Sequence, residues 1–241
     1  MIRFWFVIII SLPFILLYYI QGACIECFHS PEDEQARYRL AKKVINTLRT
    51  NAFITTDVYG VENLPEEGGY VMYANHQGKY DAVGIIYAHE KPCTILMDKH
   101  RSRMPILNAF MFLVRGSRLN KDDMKSQVHT IFDVAEQVKQ GRRYIIFPEG
   151  GYDGNGNNVQ EFMAGSFKCS TKSRTPIVPV TLVDSYKPFG VNSLKPVRTQ
   201  VHFLPPIDYE EYKDFSTEQI AVLVKSKIQK KLIEIGVSAA G

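Results

Sequence analysis

Short apolar runs recur along the chain from residue 53 onwards, and polar segments separate each run from the next. Their length and their content of β-branched and aromatic residues are typical of β-strands. The runs predicted to be strands are FITTDVY from 53, YVMYA from 70, CTILM from 93, YIIF from 144, IVPVTL from 177 and TQVHFL from 199.

Apolar residues at helical spacing predict helices between and after these strands. The clearest helix covers residues 123 to 140, where Asp122 and Asp123 suit its start and Gly141 suits its end. A last helix begins at Ser216, with Gln219 in a capping-box arrangement. Helices that alternate with strands predict an α/β fold, with a mixed β-sheet flanked by helices.

The N-terminal segment, residues 4 to 20, contains no charged side chain. A helix of this length spans about 26 Å, against about 30 Å for the hydrocarbon core of a bilayer, and Pro13 is expected to kink it. We predict a retained membrane-anchoring helix, and a tilted span, a re-entrant hairpin and a monotopic anchor all remain open. A cleaved signal peptide is the competing interpretation, for which Gly22 and Ala23 supply the small residues.

Residues 34 to 50 place apolar side chains on one helical face and Arg and Lys on the other. Such a helix either lies on the bilayer surface or packs on a protein core, and the pattern alone does not choose. We expect residues 1–50 to form the membrane anchor and this amphipathic helix. We expect residues 51–241 to form one larger domain, because no repeat or low-complexity tract divides them.

The charge balance is mildly basic, with 29 Lys and Arg against 25 Asp and Glu. This suits contact with anionic lipid or phosphate but is too weak to indicate a nucleic-acid partner, and we expect none. The four cysteines suggest no disulfide framework and fit a reducing compartment. We therefore expect the domain on the cytoplasmic face of the membrane, although the charges flanking the anchor do not set its orientation.

Two apparent metal sites lack the ligands that they would need. Cys24, Cys27 and His29 have no fourth ligand at a suitable spacing. The loop that begins at Asp153 resembles the start of a calcium loop, but Ala164 stands where the twelfth position requires glutamate. We expect no metal site.

The strongest local signal for chemistry is ANHQGKYD, residues 74 to 81, at a strand-to-helix turn. Five residues of straight helix rotate by about 500°, so His76 and Asp81 can pair only across a bend, which Gly78 can supply. Asp81 would then fix the tautomer of His76, whose other nitrogen could act as a general base. The plainer alternative is a hydrogen-bonded turn in which Asp81 caps the helix.

The N-H-x4-D pattern of Asn75, His76 and Asp81 resembles the signature of the glycerolipid acyltransferases, in particular the lysophosphatidic acid acyltransferases. Further segments similar to the family's motifs follow in family order, and an ordered set is more specific than any single match. The resemblance runs from about residue 54 to 205 and includes Gly60 to Pro65, a basic stretch at Lys99, Phe147 to Gly150, and Val178 to Val180.

This resemblance implies that residues 51–241 form an acyltransferase catalytic domain. The implied reaction transfers a fatty acyl group from acyl-CoA or acyl-carrier protein to the sn-2 hydroxyl of 1-acyl-glycerol-3-phosphate, at a bilayer and without a cofactor. Phosphatidic acid would be the product, with His76 as general base oriented by Asp81. The residues expected to bind substrate are Asn75, Glu149 and Gly150, together with the cations nearest to the motifs, Lys99, Arg101, Arg118 and Lys121.

The chain departs from the family pattern at two expected phosphate-binding arginines. Lys121 stands at one of these positions and Tyr152 at the other. A different acceptor is therefore an alternative, such as glycerol-3-phosphate, another lysophospholipid or a lyso-aminolipid. A non-catalytic membrane lipid-binding protein and a hydrolase that activates water are rivals of other classes.

Two further segments carry open alternatives. The apolar run at residues 104 to 114 is either a core helix or a surface for acyl chains or membrane, and we favour the core helix. The loop rich in Gly and Asn at residues 153 to 158 either closes over substrate or is a surface turn.

Overall fold

The computed structural model describes residues 2–28 and 34–237. A seven-stranded sheet runs through this part of the chain, in the order β1-β7-β6-β2-β5-β3-β4. Neighbouring strands are parallel except for the antiparallel pair of β6 and β7. The strands are β1 (Ile54–Tyr59), β2 (Tyr70–Ala74), β3 (Thr94–Asp98), β4 (Ser117–Leu119), β5 (Arg143–Ile146), β6 (Ile177–Val183) and β7 (Val197–Phe203).

Helices cover both faces of this sheet. Side chains alternate along β2, so that Val71 and Tyr73 enter one apolar cluster while Tyr70 and Met72 enter the other. The mixed sheet flanked by helices that the pattern predicts is thereby confirmed. The helices are α1 (Ile2–Phe28), α2 (Glu34–Asn51), α3 (Asp81–Ala88), α4 (Pro105–Leu113), α5 (Met124–Lys139), α6 (Lys168–Ser173), α7 (Lys187–Gly190), α8 (Tyr209–Tyr212) and α9 (Thr217–Glu234), with short 3₁₀ turns at Val61–Asn63, Arg101–Arg103 and Ala164–Phe167.

The six predicted strands and the three predicted helices are present, with the predicted caps. The Asp123 side chain accepts hydrogen bonds from the first turn of α5, and Ser216 and Gln219 form the capping box of α9. Strand β4 was not predicted. It has three residues at the edge of the sheet, and so short a segment carries no periodic signal.

Helix α2 packs on the domain through its apolar face. Tyr38 is buried in the same cluster as β2 and α3, and its hydroxyl donates to the carbonyls of Ile86 and His89. Of the two alternatives for residues 34 to 50, this arrangement corresponds to core packing. The division of the chain at residue 50 stays a prediction.

Helix α1 is long and apolar enough to cross a membrane, judged by length and composition over Ile2–Ile25. It runs antiparallel to α2, because Ser11 bonds Asn51 and Tyr18 bonds Thr47. Its other side presents large exposed apolar residues, namely Ile2, Trp5, Ile9, Ile10, Leu12, Phe14, Leu16, Leu17 and Ile20.

The first turn of α1 is fixed to the domain by a buried arginine. The guanidinium of Arg3 donates to the backbone carbonyls of Pro188 at 2.9 Å, of Lys187 at 3.4 Å and of Lys195. The ring of Phe4 packs edge-on against Phe189. Arg3 therefore joins α1 to α7 and to the segment before β7, and it is not a solvated charge at the membrane boundary.

One of the two apparent metal sites reaches beyond the described residues. His29 and the side chain of Cys27 lie outside them, so the Cys24, Cys27 and His29 set has no structural description. Within the described part of the chain, no three His, Cys, Asp or Glu residues are grouped as a metal ion would require.

A substitution at Gly69 tests the packing between β2 and α5. A Cβ at this position would meet the Val138 carbonyl oxygen at 1.9 Å and the Arg142 carbonyl oxygen at 2.6 Å. We expect Gly69→Ala to lower the free energy of unfolding by about 1–3 kcal/mol, because backbone atoms must move apart. Urea denaturation should show this loss, whereas Gly165→Ala, where a Cβ meets no atom within 4 Å, should stay close to wild type. Equal stability of the two variants would contradict this packing.

Candidate active site

The candidate site lies at one edge of the sheet, where four neighbouring parallel strands end. His76 follows β2, Glu149 follows β5, Arg101 follows β3 and Lys121 follows β4. Carboxyl ends of parallel strands meet at one edge, which is where α/β sheets bind ligands. Residues far apart in the chain are thereby brought together.

His76 and Asp81 form the pair that the sequence predicts. His76 Nδ1 lies 2.7 Å from Asp81 Oδ2, and the carboxylate is buried while the imidazole is partly exposed. The required bend is present, because α3 begins only at Asp81 and the intervening residues form a turn. A carboxylate only accepts hydrogen bonds, so Nδ1 is the donor of this bond, and in a neutral imidazole Nε2 is then the acceptor.

Asp81 also holds the turn together. The same Oδ2 atom accepts from the backbone N–H groups of Gln77 at 2.5 Å and Gly78 at 2.9 Å. One carboxylate therefore makes both the pairing with His76 and the hydrogen-bonded turn. It does not cap α3, because Asp81 is the first residue of that helix and the cap position is Tyr80, which has no side-chain cap hydrogen bond.

Two aromatic rings position the imidazole of His76. The Phe147 ring is stacked on it, with centroids 4.2 Å apart and planes 18° apart. The Tyr152 ring meets it edge-on, with a centroid distance of 4.7 Å. The imidazole is thus packed against rings in two directions, and it lines an adjoining cavity.

The residues on either side of His76 fasten its loop to the end of β6. Both polar atoms of the buried Asn75 amide bond the backbone of Leu182, at 3.0 and 2.8 Å. Gln77 donates to the Leu182 carbonyl and accepts from the Ser185 N–H. Asn75 therefore has a structural partner, and it is not among the described residues that line the cavity.

The loop rich in Gly and Asn packs under the His76 loop. Asn155 donates to the His76 carbonyl at 3.2 Å, and Gln77 donates to Asn157 Oδ1 at 3.0 Å. Asn157 in turn bonds both the side chain and the backbone N–H of Asp184. In this structure the loop supports the histidine. Its asparagine side chains form hydrogen bonds to protein groups, whereas those of a free surface turn would bond to water.

Glu149 connects the β2 and β5 loops. Its Oε1 accepts from the backbone N–H of His76 at 3.0 Å, and the backbone N–H of Gln160 also bonds its carboxyl group. Burial raises the pKa of Glu149 to about 8, although these two hydrogen bonds favour the charged form. Glu149 is likewise not one of the described cavity-lining residues. The hydrogen bonds of its carboxyl group are to the backbone N–H groups of His76 and Gln160.

The four cations expected near the acceptor phosphate divide into two groups. Arg101 and Lys121 line the cavity at the His76 end. Arg118 points elsewhere and donates to Asn108 at 2.6 Å, and Lys99 is not part of the described lining. Lys79, which sequence reasoning did not single out, does line the cavity, and its ammonium lies 5.3 Å from the Phe4 ring of α1.

Gly150 lines the cavity but its backbone N–H is engaged. That group donates to the Phe147 carbonyl at 3.1 Å, and the Gly150 carbonyl accepts from Lys121. Gly150 has a left-handed φ of 72°, which favours glycine. The Gly150 N–H is therefore used within the turn that follows β5.

The cavity has a volume of about 750 Å³ and is mainly apolar away from His76. Its walls include Leu107 from α4, Ile131 from α5 and Met163. The apolar residues of α5 lie in two environments. Val134 and Val138 are buried in the core, whereas Val128 and Phe132, nearer to the start of the helix, line the cavity.

Helix α4 is similarly divided. Met111 is buried, whereas Met104, Ile106 and Phe112 are exposed. The favoured core helix therefore accounts for one side of this segment only.

Comparison with known proteins identifies the family of this chain. A family model described as acyltransferase matches residues 55–183, which is more than half of the chain and includes the pair His76 and Asp81 and the carboxyl ends of strands β2 to β5. The chain belongs to the acyltransferase family. The predicted resemblance is confirmed, and the protein is an acyltransferase enzyme.

Relatives of this acyltransferase include proteins named 1-acyl-sn-glycerol-3-phosphate acyltransferase. One from Borreliella burgdorferi is 27% identical over 177 residues, which are 73% of this chain and 70% of the relative. One from Escherichia coli is 25% identical over 169 residues, covering 70% and 69%. The crystal structure of a 1-acyl-sn-glycerophosphate acyltransferase from Thermotoga maritima has a TM-score of 0.77 at 20% identity, covering 98% of this chain and 95% of the other. At that identity the likeness shows a shared fold.

The buried carboxyl of Glu149 predicts a pH dependence of stability. Because its pKa is raised to about 8 in the folded protein, the folded state keeps a proton that the unfolded state loses above its ordinary pKa of 4.5. The stabilisation of the folded state by this bound proton is complete below pH 4.5 and is lost as the pH rises towards 8. Glu149→Gln has no such proton to lose.

The wild type should lose stability between pH 5 and pH 8 relative to Glu149→Gln. We expect the free energy of unfolding of the variant, minus that of the wild type, to increase by more than about 1 kcal/mol over this range. One pKa unit corresponds to about 1.4 kcal/mol. Urea denaturation in the same detergent at both pH values measures this difference. Parallel profiles for the two proteins would show that Glu149 is already ionised in the folded state.

Proposed function

We propose that this acyltransferase transfers a fatty acyl group from acyl-CoA or acyl-carrier protein to the sn-2 hydroxyl of 1-acyl-glycerol-3-phosphate, giving phosphatidic acid. The observation that carries this proposal is the juxtaposition of a His76–Asp81 pair, two cations and an apolar cavity at one sheet edge. The names of the relatives agree with it.

His76 acts as the general base. Its Nε2 takes the proton of the sn-2 hydroxyl as the oxygen attacks the thioester carbonyl, and Asp81 stabilises the imidazolium that forms. When the tetrahedral intermediate collapses, the C–S bond breaks and the imidazolium returns the proton to the thiolate. Each acyl transfer therefore leaves His76 neutral, and no acyl-enzyme is needed.

Arg101 and Lys121 bind the acceptor phosphate. Both line the end of the cavity that holds His76, and a phosphate separated from the reacting hydroxyl by three atoms must lie close to the base. Lys99 and Arg118, which lie outside the described lining, have no part in this contact. The apolar remainder of the cavity takes a hydrocarbon chain.

The enzyme acts at a bilayer through α1. The start of this helix and its later turns contact the same domain, since Arg3 bonds the α7 segment and Tyr18 bonds α2. A spanning helix would carry one end about 30 Å away from the domain. We propose that α1 is a monotopic anchor whose exposed apolar side enters one leaflet, and that Phe4 beside Lys79 places the cavity near the lipid surface.

We place the domain on the cytoplasmic face. Cys93 and Cys169 are free and buried thiols, which fits a reducing compartment.

Substitution of His76 tests the general-base role. We expect His76→Ala to lower kcat for phosphatidic acid formation by at least about 100-fold, while acceptor binding changes less than about threefold, because the base acts on the proton and not on the phosphate. His129→Ala is the matched control, since His129 lies 3.5 Å from Asp133 in an exposed pair. Turnover of His76→Ala near the wild-type rate would exclude the mechanism.

Substitution of the cations tests the acceptor. We expect Arg101→Ala and Lys121→Ala each to raise the KM for 1-acyl-glycerol-3-phosphate about tenfold or more, because each removes a charge-assisted contact. Lys99→Ala and Arg118→Ala should change it less than about twofold.

The matched substrate control is 1-acylglycerol, which lacks the phosphate and should not distinguish these variants. A panel of lysophospholipids and glycerol-3-phosphate, with products identified by mass spectrometry, decides the acceptor. Preferred acylation of a different acceptor would replace lysophosphatidic acid in the proposal.

A further inference from the structure

Tyr152 has two contacts at the catalytic end of the cavity, one with Arg101 over its face and one with His76 in an edge-to-face arrangement. The Arg101 guanidinium lies 5.5 Å from the centre of the Tyr152 ring, within the range of a cation–π interaction. The same ring meets the His76 imidazole edge-on at 4.7 Å. All three residues line the cavity.

Arg101 has few other constraints on its position. It is exposed and lies in a short 3₁₀ turn whose backbone is held by Asp98, through the Arg101 N–H. Long exposed cations carry considerable rotamer freedom, which opposes binding of a ligand that needs them in one place. An aromatic face that holds the guanidinium beside the base reduces that freedom before the ligand arrives.

We propose that Tyr152 is a positioning residue for the acceptor: its face holds Arg101 over the catalytic end of the cavity, and the same ring packs edge-to-face with His76. One side chain thus sets the spacing between the phosphate-binding cation and the general base. This inference rests on the proposed function. It adds a residue that selects the acceptor, because a fixed spacing between Arg101 and His76 favours an acceptor whose phosphate is close to its hydroxyl.

The chemistry of the phenol agrees with this role. Burial raises the pKa of Tyr152, while Arg101 acts in the opposite direction. The hydroxyl therefore stays neutral at physiological pH, so Tyr152 adds no negative charge that would repel a phosphate. A carboxylate at this position would neutralise Arg101, whereas an aromatic ring holds it and leaves its charge available.

A double-mutant cycle of Tyr152→Leu and Arg101→Ala tests the inference with 1-acyl-glycerol-3-phosphate as acceptor. We expect Tyr152→Leu alone to raise the acceptor KM at least about fivefold and to lower kcat, with the KM of the acyl donor unchanged. In the Arg101→Ala background the same change should alter the acceptor KM less than about twofold, because no guanidinium remains to be held. The kcat effect should persist in that background, since the edge contact with His76 does not involve Arg101.

Conservative and matched variants separate positioning from general packing. Tyr152→Phe keeps the ring and should recover most of the KM lost in Tyr152→Leu. Tyr87→Leu removes another half-buried tyrosine that lies under an arginine, Arg49 at 4.0 Å, but lies outside the described cavity lining, and it should leave the acceptor KM unchanged. Should Tyr152→Leu not fold, Tyr152→Met retains side-chain volume without a ring and replaces it in the cycle.

The outcomes are distinct. A KM effect of the same size in both backgrounds, or no KM effect of Tyr152→Leu in the otherwise wild-type enzyme, would overturn the inference while leaving the proposed function intact. A wild-type enzyme that does not acylate 1-acyl-glycerol-3-phosphate would instead overturn the proposed function. A KM effect confined to the background with Arg101 would establish the positioning role.

Discussion

The whole site depends on one buried oxygen atom, Asp81 Oδ2. It accepts hydrogen bonds from His76 Nδ1, from the Gln77 N–H and from the Gly78 N–H. These bonds satisfy the Oδ2 atom of a buried carboxylate whose Oδ1 has no hydrogen-bond partner among the described residues, and they define the turn between β2 and α3 and orient the histidine. Loss of any one of these effects would disturb the other two, because a single atom provides all three.

The remainder of the fold supports that turn from several directions. Asn75 and Gln77 bond the end of β6, Asn155 bonds the His76 carbonyl, and Glu149 bonds the His76 N–H. The residues that flank His76 therefore bond to other parts of the fold. The imidazole and the cations that line the cavity come from the ends of neighbouring strands. Helix α1 begins beside this cavity, because its Phe4 ring lies 5.3 Å from the ammonium of the cavity-lining Lys79.

Local features could be predicted from the sequence, whereas distant partners could not. The pairing of His76 with Asp81 depends on five residues of chain and a bend, so its spacing is informative. The structural roles of Asn75 and Glu149 depend on Leu182 and on the β5 loop, whose positions follow from the assembled sheet. The bonding of Arg3 to Pro188 likewise joins residues that no periodicity relates.

The cations illustrate the same limit. Arg101 and Arg118 are equally plausible phosphate ligands in the sequence, but Arg118 lies within β4, where side chains alternate between faces, and it points towards Asn108. The helix at α5 was predicted correctly from its apolar spacing. Some of its apolar residues line a cavity together with Met163 and Ile146, and the pattern alone does not place those two residues beside the helix.

The kcat of Asp81→Asn for phosphatidic acid formation tests the central claim most directly. The amide oxygen can accept the same three hydrogen bonds, so the turn should be retained, but the negative charge that stabilises the imidazolium is lost. We predict a kcat at least about 100-fold below wild type with an acceptor KM within about threefold. A kcat within about twofold of wild type would contradict the account.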